Sequence, residues 1–411
     1  MAVDTDRLPV ARPGHHRGSN QSHMRAHNER VLLTLIRDHG QLSKIQIARM
    51  TGLSAQTTSV IMRALEADGL LRREAPVRGR VGQPSVPMSL DPDGAFFFGL
   101  NVGRRNAELV LIDFLGRARS MSHDEYRYPD PDAVMAFART GIDRMSAELT
   151  PEQRRRIGGL GVAMPFELWA WADREGAPKA VMDRWRSVDL RATLAAGLPY
   201  PVSVQNDATA ACGAELMLGP RRDLQDWLYF FVGAFVGGGV VLGGRLFSGR
   251  SGNAGALGSM LVPQADAASG QLLQIASLAL LEESIEKSGV DSSVFWASPD
   301  NWSDAGESID AWLETAGRGL AHAIVSASSV IDFEAVVIDG WLPVQVRERL
   351  VQGSAKHLLT LPSAGVRLPQ VLPGSVGIHA SALGAACMVL SDRYLLENHA
   401  RAVPGDQSLL A

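Results

Sequence analysis

The stretch LSKIQIARMTGLSAQTTSVIMRALEADGLL, residues 42–71, decides how the N-terminal part of this chain folds. Ser43 stands where it can cap a helix with inward positions Ile45, Ile47, Ala48 and Met50. Gly52 supplies the backbone freedom that ends this helix before Leu53 plugs the core. Ser54 then caps a second helix whose buried stripe is Thr58, Ile61, Met62 and Leu65 at helical spacing. Ala55, Gln56, Thr57, Ser59 and Val60 are left near its outer, N-terminal face, where a recognition helix meets base edges. Gln reads adenine in the major groove, small hydroxyls reach bases or phosphates, and Val60 matches a thymine methyl. The pattern is that of a helix-turn-helix, although taken bare it also fits a helical hairpin used for packing or protein contact.

The flanks favour DNA. After Gly69 comes REAPVRGRVGQPSVPMSLD, a Pro- and Gly-punctuated segment that, with Arg72 before it, carries Arg72, Arg73, Arg78 and Arg80 and reads as a wing lying along phosphates. An amphipathic stretch from Asn28 to His39 supplies the first helix of the module. The expected contacts with double-stranded operator DNA are Ser43, Ser54, Gln56, Thr57, Ser59, Arg63, Arg78 and Arg80. Residues 1–90 hold 13 Lys plus Arg against 7 Asp plus Glu, a net +6, while the remainder holds 27 against 37, a net −10. A basic head on an acidic body suits a protein whose head alone touches phosphates.

With 411 residues, 46% hydrophobic and 20% charged, the chain has room for a small domain and a large one split into lobes. Residues 1–24 lack apolar periodicity and read as a disordered lead without a signal peptide; residues 25–92 form the head. Cys212 and Cys387 lie in apolar helical contexts, which argues against a disulfide framework and for a reducing cytoplasm. The uncharged run WLYFFVGAFVGGGVVLGG, 227–244, is nearly long enough to span a bilayer, but six of its residues are glycine. Two buried strands joined by a glycine turn explain it better, so no membrane association is expected.

Beyond Pro92 the pattern becomes strand and helix in alternation. AFFFGLNVG, AELVLIDFLG and RARSMSHDEY read as three strands, Pro131–Leu149 as a helix and GLGVAMP as a further strand. A similar order follows: PVSVQND entering a helix over Ala208–Met217, a WLYFFVG/GGVVLGG hairpin, helices across Gln271–Lys287 and Ile309–Val330, and the strand AVVIDG. Two α/β lobes with a cleft between them place ligands at the carboxyl ends of the strands.

Four segments carry a resemblance: SVQNDATAACGAE at 203–215, FVGAFVGGGVVLGGRLFSGRSGNAGALGS at 231–259, EAVVIDG at 334–340 and HASALGAA at 379–386. In order and interval they resemble the ROK family, which groups sugar kinases with sugar-responsive transcriptional repressors on an actin-like, ribonuclease H-like, two-lobed ATPase fold. Its repressor branch carries an N-terminal winged helix-turn-helix. The resemblance spans roughly residues 25–398 and implies an α/β chain with the winged head, a two-lobed domain over 93–400 and a tail at 401–411.

Departures from the family pattern bear on activity. Where the kinases end their first strand in an Asp-x-Gly-Gly-Thr loop for ATP phosphates and metal, this chain has Asn101, Val102, Gly103, Arg104 and Arg105. Loss of the carboxylate and of the second glycine should cripple nucleotide use. The loop Gly233–Gly239 keeps its glycines with Ala234 in place of Thr; those glycines fit phosphate contact or simply a tight hairpin. Asp207 matches the family's catalytic base and Asn206 the adjacent sugar-binding amide, a pair that binds hydroxyls without catalysis or caps the following helix. The family's Ala-Gly-Glu-x-Gly-His segment appears as AGALGS, with Ala256 for the sugar-binding Glu and Ser259 for the sugar- and zinc-binding His. AASGQLLQIASLAL has none of the family's zinc cysteines, so neither a metal nor a cofactor is implied.

PFELWAWADREG at 165–176 and Trp185 match loops flanking the family's sugar. An effector pocket of Glu167, Trp169, Asn206 and Asp207 follows, with lobe-packing anchors as the other use of these aromatics. Arg104 and Arg105 read either as a site for an acidic or phosphorylated effector or as exposed surface. The whole reads as a cytoplasmic transcriptional repressor, responsive to a sugar or sugar derivative, a homodimer or homotetramer with a kinase-dead body. An ATP-dependent sugar kinase with an appended DNA-binding head is the alternative, and an interaction protein using its head for protein contacts a third.

Overall fold

The computed structural model describes residues 21–76, 85–166, 168–171, 177–220, 223–264, 269–289 and 306–396, with Ser292, Trp296 and Trp302. The head opens with α1 (Gln21–His39), which starts before the expected Asn28, so residues 21–24 of the anticipated lead are helical. The short strand β1 (Gln41–Leu42) leads to Ser43, which starts α2 (Lys44–Thr51) with a capping box: Gln46 N–H donates to Ser43 Oγ, and Ser43 N–H donates to Gln46 Oε1 at 2.9 Å. Gly52, at φ 69°, closes the helix in the left-handed region. Ser54 caps α3 (Ala55–Ala67), whose buried residues are the expected Thr58, Ile61, Met62 and Leu65. In α2 only Ile47 is fully buried; Ile45 is 61% exposed and Met50 faces a groove between head and body. A two-turn helix wedged between α1 and α3 has one narrow inward stripe, which left no room for these two. Strands β2 (Leu71–Arg73) and β3 (Met88–Leu90) complete an antiparallel sheet in the order β1-β3-β2.

Lobe I follows: β4 (Phe96–Val102), β5 (Asn106–Ile112), β6 (Ala118–Glu125), α4 (Pro131–Glu148), α5 (Pro151–Arg155), β7 (Ile157–Ala163), α6 (Lys179–Arg184), α7 (Leu190–Ala195) and β8 (Val202–Gln205). Lobe II comprises α8 (Asp207–Leu218), β9 (Trp227–Val232), β10 (Val236–Leu242), β11 (Arg245–Leu246), β12 (Leu261–Val262), β13 (Gly270–Gln271), α9 (Leu273–Ala276), α10 (Leu278–Lys287), α11 (Gly306–Ser328), β14 (Ala335–Gly340), α12 (Val344–Leu358) and β15 (Gln370–Pro373). A last helix, α13 (Ala380–Tyr394), returns to lobe I.

Both five-stranded sheets repeat one topology. Their orders are β6-β5-β4-β7-β8 and β11-β10-β9-β14-β15, the first three strands of each antiparallel and the last two parallel. The glycine-rich run at 227–244 is thus the hairpin β9–β10, pairing Val232 with Val236, and no helix among the described residues is long and apolar enough to cross a membrane.

Helix α13 lies on the lobe I sheet and α8 on that of lobe II, and the two helices pack on each other. Glycines make this possible. A Cβ at Gly99 would lie 2.0 Å from the Ala382 carbonyl oxygen, one at Gly161 1.9 Å from that of Ala385, and one at Gly384 1.8 Å from that of Ala210.

Head and lobe I share one hydrophobic core. Leu32, Leu33, Ile36, Ile61 and Leu65 of the head pack in the same cluster as Phe97, Phe114, Ala386, Leu390 and Leu395. Arg156 donates to the carbonyls of Asp68 and Gly69, and Arg37 donates to that of Met217 at the end of α8. The head is seated on the body rather than tethered.

Gly161→Ala is expected to destabilise the protein by about 2–3 kcal/mol or more, because backbone cannot yield as a flexible side chain does. Gly353→Ala, in α12 with open space at its Cβ, should be neutral or stabilising by up to about 1 kcal/mol. Denaturant unfolding of the two variants checks both; equal effects would remove the packing argument.

Candidate functional site

Two surfaces gather the chemistry: the exposed side of α3 and the cleft between the lobes. On α3, Ser54 Oγ accepts from Thr57 N–H at 3.0 Å and lies 2.8 Å from Thr57 Oγ1, so both hydroxyls serve the helix start while remaining exposed. Gln56 is exposed, and Val60, one turn on, is 49% exposed. Arg63 is exposed and its Nε donates to the Ser59 carbonyl. Ser43 departs from expectation: it is only 7% exposed and engaged in its capping box, so it builds α2 rather than facing DNA.

Lys44 was overlooked because it directly follows the cap and reads as helix boundary. Its ammonium reaches Ser59 Oγ at 3.3 Å, which places a cation at the α2 N-terminus beside the recognition face. Arg72 and Arg73 of the wing are tied up instead. Arg73 holds Glu66 through two bonds of 2.6 and 3.1 Å, and that hydrogen bond keeps the Glu66 carboxyl below its ordinary value. Arg72 bonds Glu74, whose carboxyl is lowered first by the Ser89 hydroxyl. Arg78 and Arg80 lie outside the described residues.

In the cleft, Asn206 Oδ1 accepts from Thr209 N–H at 3.1 Å and so caps α8. Asp207 Oδ1 accepts from Ala208 N–H at 2.9 Å. Burial raises the Asp207 carboxyl above the usual carboxylate range, opposed by the Arg104 charge and by the Ala208 and Asp207 backbone N–H groups. The segment after β11 comes near: a Cβ at Gly252 would lie 3.6 Å from the Phe166 ring and 3.9 Å from Gln205 Oε1. Phe166, half-exposed at the end of β7, and Gln205 therefore border this end of the cleft, a role not read from the sequence. Trp169 instead packs against the lobe I core with Arg186 over its ring, and buried Trp185 donates its indole N–H to the Pro129 carbonyl. These are the packing anchors. Glu167 lies outside the described residues, and Ala256 and Ser259 are exposed.

Arg104 and Arg105 are not surface residues. Arg104 is 8% exposed, with its guanidinium 4.0 Å above the Phe235 ring of the β9–β10 turn. Arg105 Nη2 meets Glu282 Oε1 of α10 at 2.8 Å, and its Nη1 donates to the Arg127 carbonyl. Asn101 Oδ1 is buried without a hydrogen-bond partner. Glu108, buried beside it on β5, pairs with His379 Nδ1. Among the described residues no three His, Cys, Asp or Glu side chains are placed to hold a metal ion.

A carboxyl whose folded value is raised stabilises the fold only where it is protonated, so at neutral pH its charge is a burden that falls away as pH drops through the folded value. Asp207→Asn should therefore melt at or above wild type at pH 7.5, the gap closing as the pH falls. A gap that widens on acidification would contradict the assigned direction.

The comparisons with known proteins agree with this layout. Residues 97–392 match the ROK family profile, and residues 25–72 match a winged helix-turn-helix DNA-binding profile. An uncharacterised protein of Sinorhizobium fredii is 28% identical over 362 residues, covering 88% of this chain and 90% of its own. A transcriptional regulator of Mycobacterium tuberculosis is 31% identical, and the xylose repressor of Bacillus subtilis 22%. These cover 53% and 59% of this chain, which in turn spans 49% and 62% of their lengths. Among solved structures, a ROK family transcriptional regulator, a homologue of the E. coli MLC protein, superposes with a TM-score of 0.64 at 19% identity over 90% of this chain and 96% of its own. A ROK family glucokinase of Streptomyces griseus gives 0.53 at 19% over 72% and 99%. These likenesses carry the fold, a winged head on an actin-like two-lobed body. The chain belongs to the ROK family.

Proposed function

We propose that the chain is a sequence-specific transcriptional regulator, a repressor, that binds operator DNA through α3 and its wing and senses a sugar or sugar derivative in the cleft of a body that no longer phosphorylates it. The observation that carries this reading is the capped α3, which presents Gln56, Val60 and Arg63 outward while its inner face is locked into a core shared with lobe I. A head fused to one lobe translates lobe rotation into displacement of the DNA-reading helix. In a homodimer or homotetramer, set in the cytoplasm, that displacement alters the spacing of two heads against half-sites a helical turn apart. The regulators and xylose repressors among the relatives support it.

Loss of kinase chemistry rests on the β4–β5 turn. Mg²⁺ with nucleotide phosphates calls for a carboxylate and close backbone approach; here stand Asn101 and two arginines already engaged with Phe235 and Glu282. These residues do not fit a metal-bound triphosphate. Asp207 in the catalytic-base position is what favours an ATP-dependent sugar kinase instead. Incubation with ATP, Mg²⁺ and a sugar panel separates the two: no ADP above background is expected, and sugar-dependent ADP would restore the kinase.

The direct test is titration of the full chain onto its own upstream intergenic DNA and onto random DNA at several salt concentrations, with and without a sugar pool that includes D-xylose. Selective binding altered by sugar is expected; absence of selectivity at every salt would end the reading. Gln56→Ala should cost about 1–3 kcal/mol on the operator and little on random DNA. Arg80→Ala should weaken all DNA and lower the salt slope by about 1. Equal losses of Gln56→Ala on both DNAs would exclude its base-reading role.

A further inference from the structure

Three contacts cross from the β4–β6 side of lobe I to lobe II. The Arg104 guanidinium lies over Phe235, Arg105 pairs with Glu282, and the His123 ring of β6 stacks on Trp341 after β14, 5.8 Å between centroids and 16° between planes. The ion pair is well shielded, its side chains 20% and 10% exposed, so water and salt weaken it less than a surface pair. Its geometry is fixed from both sides. The Arg127 carbonyl holds the other arm of the Arg105 guanidinium, and the Ser292 hydroxyl, which donates to Glu286 at 2.7 Å, lies 3.4 Å from Glu282 Oε1. The Arg104 charge also lowers the Asp207 carboxyl, against the effect of burial. One turn thus touches lobe II twice.

We propose that Arg104 and Arg105 form a latch that holds the two lobes together, and that its closure sets the affinity of the head for DNA. Because the head packs on lobe I and on the end of α8 while Glu282, Phe235 and Trp341 belong to other elements of lobe II, release changes how the head lies relative to those elements. The DNA half of this inference rests on the function proposed above; the lobe half does not.

The experiment uses the full chain with spin labels on cysteines introduced at Glu148 of lobe I and Lys356 of lobe II, both exposed; the native Cys212 and Cys387 are buried. Arg105→Glu and Glu282→Arg should each broaden and lengthen the inter-lobe distance and change affinity for the upstream DNA fivefold or more. The double exchange Arg105→Glu/Glu282→Arg should return both readings towards wild type. Should a reversal fail to fold, Arg105→Gln and Glu282→Gln test the same pair without like charges. Unchanged distances in all variants would overturn the latch, and changed distances with unchanged affinity would overturn its control of DNA. Wild-type protein without DNA selectivity would sink the proposed function while the distances still judged the latch.

Discussion

The close approach of backbone to backbone around α13 is the constraint on which the rest of the molecule depends. Gly99 and Gly161, in neighbouring strands of lobe I, let α13 lie almost on the sheet, and Gly384 lets α8 lie almost on α13. No side chain fills these contacts, so a methyl group added there meets carbonyl oxygen rather than movable atoms. Two sheets of identical topology are thereby held back to back through two alanine-rich helices. The carboxyl ends of β4, β7, β8, β9 and β14 are left facing one cleft.

Helix α8 reaches both places that matter. Its first turn carries Asn206 and Asp207 at the cleft; its last carbonyls meet the head, where Arg37 donates to Met217 at 3.0 Å. Twelve residues make this a rod of about 18 Å. Arg37, a cation at a helix C-terminus, is favoured there by the helix dipole as well as by its hydrogen bond. A shift at one end of such a rod is felt at the other without any chain of mobile residues between. The shared head–body core serves the same end, since α1 cannot follow α8 without carrying α3 along.

Much of this was legible in the sequence where local rules act alone. Ser43, Gly52 and Ser54 placed two helices, and the stripe of Thr58, Ile61, Met62 and Leu65 is buried as read, because helix caps and periodicity are short-range physics. Ile45 and Met50 failed because burial in a two-turn helix is set by its neighbours. The same limit governs the cleft. Spacing placed Asn206 and Asp207 together at a helix start, but whether Trp169, Trp185 or Phe166 faces the cleft depends on how loops from separate strands fold back. Arg104 and Arg105 were the hardest to read. Charged residues in a turn normally sit in water, and only the apposition of lobe II gives them an aromatic face and a carboxylate.

The two arginines also set what the β4–β5 turn can hold. A glycine-lined turn leaves a hollow into which backbone N–H groups point, suited to a polyanion that brings its own metal. Long guanidinium side chains in this chain's turn extend far enough to reach across the cleft, where Glu282 and Phe235 receive them. Asn101 follows the same logic: a neutral amide is less costly to bury there than a carboxylate, even with its Oδ1 unpaired. Side chains alone thus join the lobes beside the cleft that Asn206 and Asp207 border.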